Sequence, residues 1–273
     1  MQTKNYSLIL ILVCCFQITS WSQARWKPLF NGKNLKGWDI KIAGHDLNDN
    51  YLNTFRVEDG MLRISYDQYK NFDDKYGHLY FKTPFSHYRL RFEYRFTGEQ
   101  TPGGATWNVR NSGVMLHAQS AASMPKDQDF PVSVEVQLLG GLNHGERATA
   151  NVCQPGTLVD IDGLPAKEHC VNSTSATYHG DQWVAVEVLV LGDSLIQHYV
   201  EGKMVLSYSK PRVGGWYLSN YMSEDIKKRT GEPVSAGYIA LQAESHPIDF
   251  RNIELMNLKH LKKTQQGERV NVM

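Results

Sequence analysis

Charge of one sign is what this 273-residue sequence most plainly lacks: 29 Lys and Arg stand against 28 Asp and Glu. That balance argues against nucleic acid or an acidic membrane surface as the main partner, since both select a basic footprint. Cysteine is scarce, four in all. Cys14 and Cys15 sit in an apolar stretch near the start, which leaves Cys153 and Cys170 for the rest of the chain. Two thiols are half of a tetrahedral zinc site, so no metal of that kind is expected. Helical periodicity is missing too. No stretch of twelve or more residues carries a helical apolar stripe, although residues 223–230 can form one short turn. Internal repeats and low-complexity segments are also absent.

The apolar run Leu8–Phe16 is too short to span a bilayer as a mature anchor. With Lys4 before it and Ser20-Trp21-Ser22 after it, the run reads as part of an export signal over residues 1–22, cleaved after Ser22. Leu12 and Val13 precede Cys14-Cys15 where lipidation favours a small residue, so a lipid anchor is not expected. The protein should then be periplasmic or secreted, with no transmembrane segment in its mature part. In such an oxidising compartment Cys153 and Cys170 are expected to pair, a closure worth roughly 3 kcal/mol in the chain-entropy model. The mature chain of about 250 residues fits one all-β sandwich domain, residues 23–258, followed by a basic, polar tail, residues 259–273.

What is abundant is two-residue alternation. Tyr88, Leu90, Phe92, Tyr94 and Phe96 alternate with Arg89, Arg91, Glu93 and Arg95, and Val184, Val186, Val188 and Val190 alternate with Trp183, Ala185, Glu187 and Leu189. Asp59-Gly60 and Glu201-Gly202 read as tight hairpin turns. Many short strands with such turns imply two antiparallel sheets in a sandwich, or a barrel.

Several strands carry a polar row opposite their packing side. Ile239, Leu241 and Ala243 face one way; Tyr238, Gln242, Glu244 and His246 face the other. Ser133, Glu135 and Gln137 oppose a valine row, Glu135 and Gln137 being about 7 Å apart along the strand. His117 opposes Val114 and Leu116, while Asp249, Arg251 and Ile253 share a side of the closing strand. An acid, amides, imidazoles and an arginine on one surface suit a carbohydrate. The loops 98–111 and 212–234 are long and bring Trp107, and Trp216, Tyr217 and Tyr221, whose rings suit stacking on a sugar. Each such residue also has a plain structural reading, as a solvated strand face or a plug at the end of the sandwich. Asp160-Ile161-Asp162-Gly163 matches only part of a calcium loop, so no ion or other cofactor is assigned.

In chain order, Leu29-Phe30-Asn31-Gly32-Lys33-Asn34-Leu35-Lys36-Gly37-Trp38, Val57-Glu58-Asp59-Gly60-Met61-Leu62, Asn111-Ser112-Gly113-Val114, Glu135-Val136-Gln137-Leu138-Leu139, and Leu241-Gln242 followed by Ile248-Asp249-Phe250-Arg251-Asn252-Ile253 carry a family likeness. The sequence resembles the 3-keto-disaccharide hydrolase domain family over roughly Trp26 to Leu258. The resemblance implies a concanavalin-like jelly-roll sandwich, export, and cleavage of glycosides already oxidised at C3 by a partner dehydrogenase. Where many relatives have Asp-His-Gly or Ser-Glu-Gly after Leu-Gln, this chain has Ala243-Glu244-Ser245-His246.

A C3 ketone acidifies the hydrogen at C2, so one base can remove it and the aglycone leaves from C1; water then adds back. The route needs a base, an electrophile for the enolate oxygen and a proton donor for the leaving group. The resemblance points to Glu135 or His117 as base, Arg251 for the enolate, and Glu244 or His246 as acid. Asn111, Gln137 and Gln242 would bind hydroxyls and Trp107 would stack. Two other readings stay open: a glycosidase using Glu135 and Glu244 as a carboxylate pair, and a non-catalytic, lectin-like carbohydrate-binding module.

Overall fold

The alternating runs become strands in the computed structural model, which describes residues 24–215 and 222–259. The expected signal (residues 1–22), Trp216, Tyr217, Tyr221 and the tail from residue 260 lie outside the described residues. The larger sheet has ten strands. Nine run in the order Leu164–Pro165, Thr157–Ile161, Lys203–Val213, Leu195–Val200, Val184–Leu191, His87–Phe96, Ile248–Asn257, Met61–Ile64, Phe55–Glu58, and Trp26–Pro28 pairs with Ile248–Asn257. The smaller sheet orders seven: Cys170–Val171, Asn151–Cys153, Val134–Leu139, Asn111–Ala118, Tyr238–Ala243, Gly77–Phe81, Trp38–Ile42. Neighbouring strands pair antiparallel throughout. The α-helix among the described residues is the four-residue turn Glu224–Lys227. This is the all-β, jelly-roll sandwich that the strand pattern and the resemblance imply, and both hairpins form where Asp59-Gly60 and Glu201-Gly202 stand.

The core lies between the sheets, and alternation decides what enters it. Tyr88, Leu90, Phe92, Tyr94 and Phe96 from the larger sheet meet Val134, Val136, Leu138, Ile239, Leu241 and Ala243 from the smaller. Each large apolar side chain buried there contributes about 1.5–3 kcal/mol. Tyr94 and His198 carry polar groups into the core with partners for them. Tyr94 Oη lies 2.7 Å from Thr149 Oγ1, and the His198 ring nitrogens lie 2.8 Å from the Ala150 carbonyl oxygen and the Tyr208 hydroxyl.

Two bulges overturn expectations drawn from strict alternation. Asn252 (φ 53°) adds a residue to the closing strand, so Ile253 turns into the core instead of sharing the side of Asp249 and Arg251. His117 (φ 51°) sits where the register of its strand slips against Tyr238–Ala243. Its ring therefore leaves the polar row and lies edge-on to Tyr88, with Nε2 3.1 Å from the Gly192 carbonyl oxygen of a turn in the larger sheet. The fragment at Asp160 is also not a calcium loop: its carboxylate accepts from Lys210 Nζ (3.1 Å) and Arg212 Nη1 (2.9 Å), and Asp162-Gly163 forms the turn to Leu164–Pro165.

Candidate active site

A cleft of about 710 Å³ opens over the outer face of the smaller sheet, a size that suits a mono- or disaccharide. Its floor follows from register. Met115 pairs with Glu135 and Glu135 with Cys153, so Glu135 and the Cys153–Cys170 disulfide occupy neighbouring places across the sheet. Asn111, Gln137 and Glu244 line the cleft with them. Loops before and after the strands build the walls, among them Lys75, Tyr76, Trp107, Asp127 and Phe130.

Gly113 explains how Glu135 is accommodated. A Cβ at residue 113 would stand 2.4 Å from Glu135 Oε1 and 2.8 Å from its Cγ, so the carboxyl group leans over the space that a missing side chain leaves. Glu244 enters from the end of its strand, where Ser245 adopts φ 74°, a left-handed conformation that favours glycine. This is the position at which the family pattern leads one to expect glycine. Serine is held there by three hydrogen bonds: its N–H donates to Tyr66 Oη (2.9 Å), its carbonyl accepts from Thr101 N (3.0 Å) and its Oγ accepts from Gln100 Nε2 (2.9 Å).

Both carboxyls are buried, and Glu244 Oε2 has no hydrogen-bond partner among the described residues. Burial pushes Glu135 up to about 8. Burial, then the neighbouring charge of Glu135, hold Glu244 well above the usual carboxylate range, with Arg147 pulling the other way. Burial therefore favours the neutral form of both carboxyls, and the charge of an ionised Glu135 holds the proton on Glu244. Arg147, which the sequence did not single out, is fixed nearby by donating from Nη1 to the carbonyls of Val109 (2.8 Å), Arg110 (3.2 Å) and Gly140 (2.8 Å).

Trp107 is 52% exposed and lies parallel to Tyr76 (6° between planes, centroids 6.1 Å apart), while Phe130 packs on Tyr76 at 4.9 Å. The three make an aromatic wall, of which only Trp107 was anticipated. Tyr76 precedes a strand and Phe130 lies in a turn, so neither belongs to an alternating row that would have marked it. Asn111 Nδ2 donates to the Trp107 carbonyl (3.1 Å), its buried Oδ1 has no partner among the described residues, and Gln137 Oε1 accepts from Asn151 Nδ2 (3.1 Å).

The cleft thus assembles Glu135, Glu244, Trp107, Asn111 and Gln137, with Gln242 beneath its floor; three expected members lie elsewhere. His117 is carried off by its bulge and, buried, is pushed down to about 4, a neutral imidazole. His246 lies beyond the left-handed Ser245 and packs edge-on against the core ring Phe96 (5.5 Å); burial, then Arg110 and Arg147, push it down to about 4. Arg251 projects from the larger sheet, where its Nε donates to Glu93 (2.7 Å) and its guanidinium lies 4.0 Å over the Trp183 ring. It therefore cannot meet an enolate in this cleft. Among the described residues, Lys75 is the cation that lines the cleft.

Comparisons with known proteins fit this architecture. A family model described as 3-keto-alpha-glucoside-1,2-lyase-like domain matches residues 25–256. A search of the curated proteins found no match. Among solved structures, a protein of Parabacteroides distasonis ATCC 8503, provisionally described as a glycosyl hydrolase, is similar with 18% identity and a TM-score of 0.50, covering 86% of this chain and 100% of its own. The carbohydrate-binding module CBM66 from Bacillus subtilis is similar at 9% identity and TM-score 0.46, covering 81% of this chain and 96% of its own. A β-glucanase of Bacillus licheniformis gives 13%, 0.45, 86% and 97% in the same order.

Proposed function

Because the chain belongs to the family of 3-keto-alpha-glucoside-1,2-lyase-like domains, we propose that it is an exported enzyme that cleaves glycosides carrying a ketone at C3. The observation that carries this reading is the pair of buried carboxyls, Glu135 and Glu244, at the floor of an aromatic-walled cleft. With one of the two acids ionised and its neighbour still protonated, the pair supplies a base and an acid at once. The ionised member takes the C2 proton, and the electrons of that bond form the C1=C2 double bond as the C1–O bond breaks. The protonated member gives its proton to the departing oxygen. An unsaturated 3-ketone remains, the pair's roles are exchanged, and addition of water at C1 with a proton at C2 regenerates the free 3-keto sugar.

Lys75, the cation lining the cleft, takes the part of stabilising negative charge on the C3 oxygen. Trp107 stacks on an apolar ring face, and Asn111 and Gln137 bind hydroxyls. A dehydrogenase that oxidises C3 must supply the substrate. The test is mass spectrometry of the purified protein incubated with a 3-keto-glucoside and with its unoxidised parent, repeated in D2O. Cleavage of the ketone alone, with deuterium at C2 of the product, is the expected result. Cleavage of the parent would favour a glycosidase with two carboxylates, and binding without turnover of either would favour a binding module.

A further inference from the structure

One row of side chains runs across the outer face of the smaller sheet below the cleft. Lys41 pairs with His78 and His78 with Gln242. Leu241 pairs with Val114, which continues the row from Gln242 to Gly113; Gly113 then pairs with Gln137 and Gln137 with Asn151. His78 and Gln242 have no exposed surface, yet neither ring nitrogen of His78 and neither side-chain polar atom of Gln242 has a hydrogen-bond partner among the described residues. Four adjacent unsatisfied atoms at 0% exposure are costly, and a native fold keeps such a group when something else satisfies it. The contrast with His198 is direct, since both nitrogens of that equally buried ring are bonded.

The chemistry of the missing partner can be read from the pair. Burial, then the charge of Lys41, push His78 down to about 3, so the imidazole is neutral. A neutral imidazole and an amide each present one donor side and one acceptor side. A carboxylate or phosphate would leave the donating requirement unmet, and an ammonium the accepting one. A hydroxyl meets both. Lys41 does not compete for it, because its Nζ donates to the carbonyls of Ile42 (3.2 Å), His45 (3.3 Å) and Lys126 (2.5 Å). Phe130, a wall of the cleft, has its ring 6.1 Å from that of His78, and Gly113 places no side chain between Gln242 and the carboxyl of Glu135.

We propose that His78 and Gln242 form a subsite behind Phe130, closed in this structure and reached when the side chains over it shift, that binds one hydroxyl of the sugar and so selects among substrates by hydroxyl pattern. The proposal rests on reading the cleft as a sugar site. Ordered water offers the same donor and acceptor, and the experiment separates the two.

Binding is measured by calorimetry in a Glu135→Gln background, to prevent turnover, with methyl 3-keto-α-glucoside and its 4-deoxy and 6-deoxy analogues. One analogue should bind about tenfold more weakly than the parent, and adding Gln242→Leu or His78→Leu should reduce that difference to about twofold or less. Unchanged discrimination in folded variants would overturn the subsite. Should the leucine variants not fold, a crystal of the Glu135→Gln protein soaked with the same ketone decides. A sugar oxygen within hydrogen-bond distance of His78 or Gln242 supports the proposal; water alone, or nothing, overturns it. Wild type that turns over the ketone while the subsite tests fail leaves the proposed function standing, whereas wild type that neither binds nor cleaves any glycoside removes both.

Discussion

The outer faces of the two sheets both carry polar side chains and treat them in opposite ways. On the larger sheet Arg251 and Asn252 donate to Glu93, Arg91 pairs with Glu254, Arg89 with Glu187, and Arg63 and Arg95 both donate to the fully buried Asp249. A depression of about 500 Å³ on that face is lined by several of these mutually paired charges. On the smaller sheet burial raises the pKa of Glu135 and Glu244, the charge of Glu135 raises Glu244 further, and His78, Gln242 and Glu244 Oε2 are buried without partners among the described residues. Pairing makes polarity structural, because each charge already has its complement. Buried polarity that is left open is a cost to the fold, and it marks where a substrate completes the hydrogen bonds.

The largest expected effect lies on the open face. Glu135→Gln and Glu244→Gln should each lower kcat on a 3-keto-glucoside by about 10²- to 10⁴-fold with the fold intact by circular dichroism, because each removes the base or the acid. Near-normal turnover in either would break the comparison. On the paired face the effect should be on stability instead. Asp249→Ala strips Arg63 and Arg95 of a shared buried carboxylate and should cost about 3 kcal/mol in denaturant unfolding, with kcat per folded molecule unchanged.

A third prediction sharpens the contrast through pH. Glu135 has a folded-state pKa of about 8, above its ordinary 4.5, so the native state holds a proton that the unfolded state releases. Its contribution to stability is complete below about pH 4.5 and is lost as pH rises towards about 8. Glu135→Gln should therefore be more stable than wild type at pH 8, by on the order of 1–3 kcal/mol, and the gap should close at pH 4. An equal or larger gap at pH 4 would contradict the raised pKa. The smallest effect belongs to Arg251→Ala: loss of an exposed ion pair and a contact with Trp183 should cost under about 1 kcal/mol and leave turnover alone. A hundredfold loss of kcat there would return Arg251 to the mechanism.

Much of the fold was legible because apolar alternation sets the face of each residue, and the runs around Phe92 and Val186 behave in that way. Legibility stopped at the bulges. Histidine and asparagine adopt the left-handed conformation more readily than most residues, but neither His117 nor Asn252 marks a bulge by its type alone, and each shifts its strand's register by a position and so changes which side chains face the core. Of the site, Glu135, Gln137, Asn111, Trp107 and Glu244 could be read from polar rows, a long loop and the family likeness. His78 could not, because its strand, Gly77-His78-Leu79-Tyr80-Phe81, is buried along nearly its whole length and shows no clear polar side. Tyr76, Lys75 and Phe130 come from loops whose path depends on tertiary packing, and Arg147 acts through carbonyls that only the fold brings together.

The central claim is that Glu135 and Glu244 both hold raised pKa values and that the charge of Glu135 helps to keep the proton on Glu244. A titration of the side-chain carboxyl carbons by carbon-13 NMR, with Glu135→Gln and Glu244→Gln used to assign the two signals, tests it most directly. The account predicts that at least one carboxyl of the pair is still protonated at pH 7 in the wild type, and that neutralising Glu135 lowers the pKa of Glu244. Two carboxyls that both ionise near pH 4.5, each indifferent to the other's substitution, would contradict it.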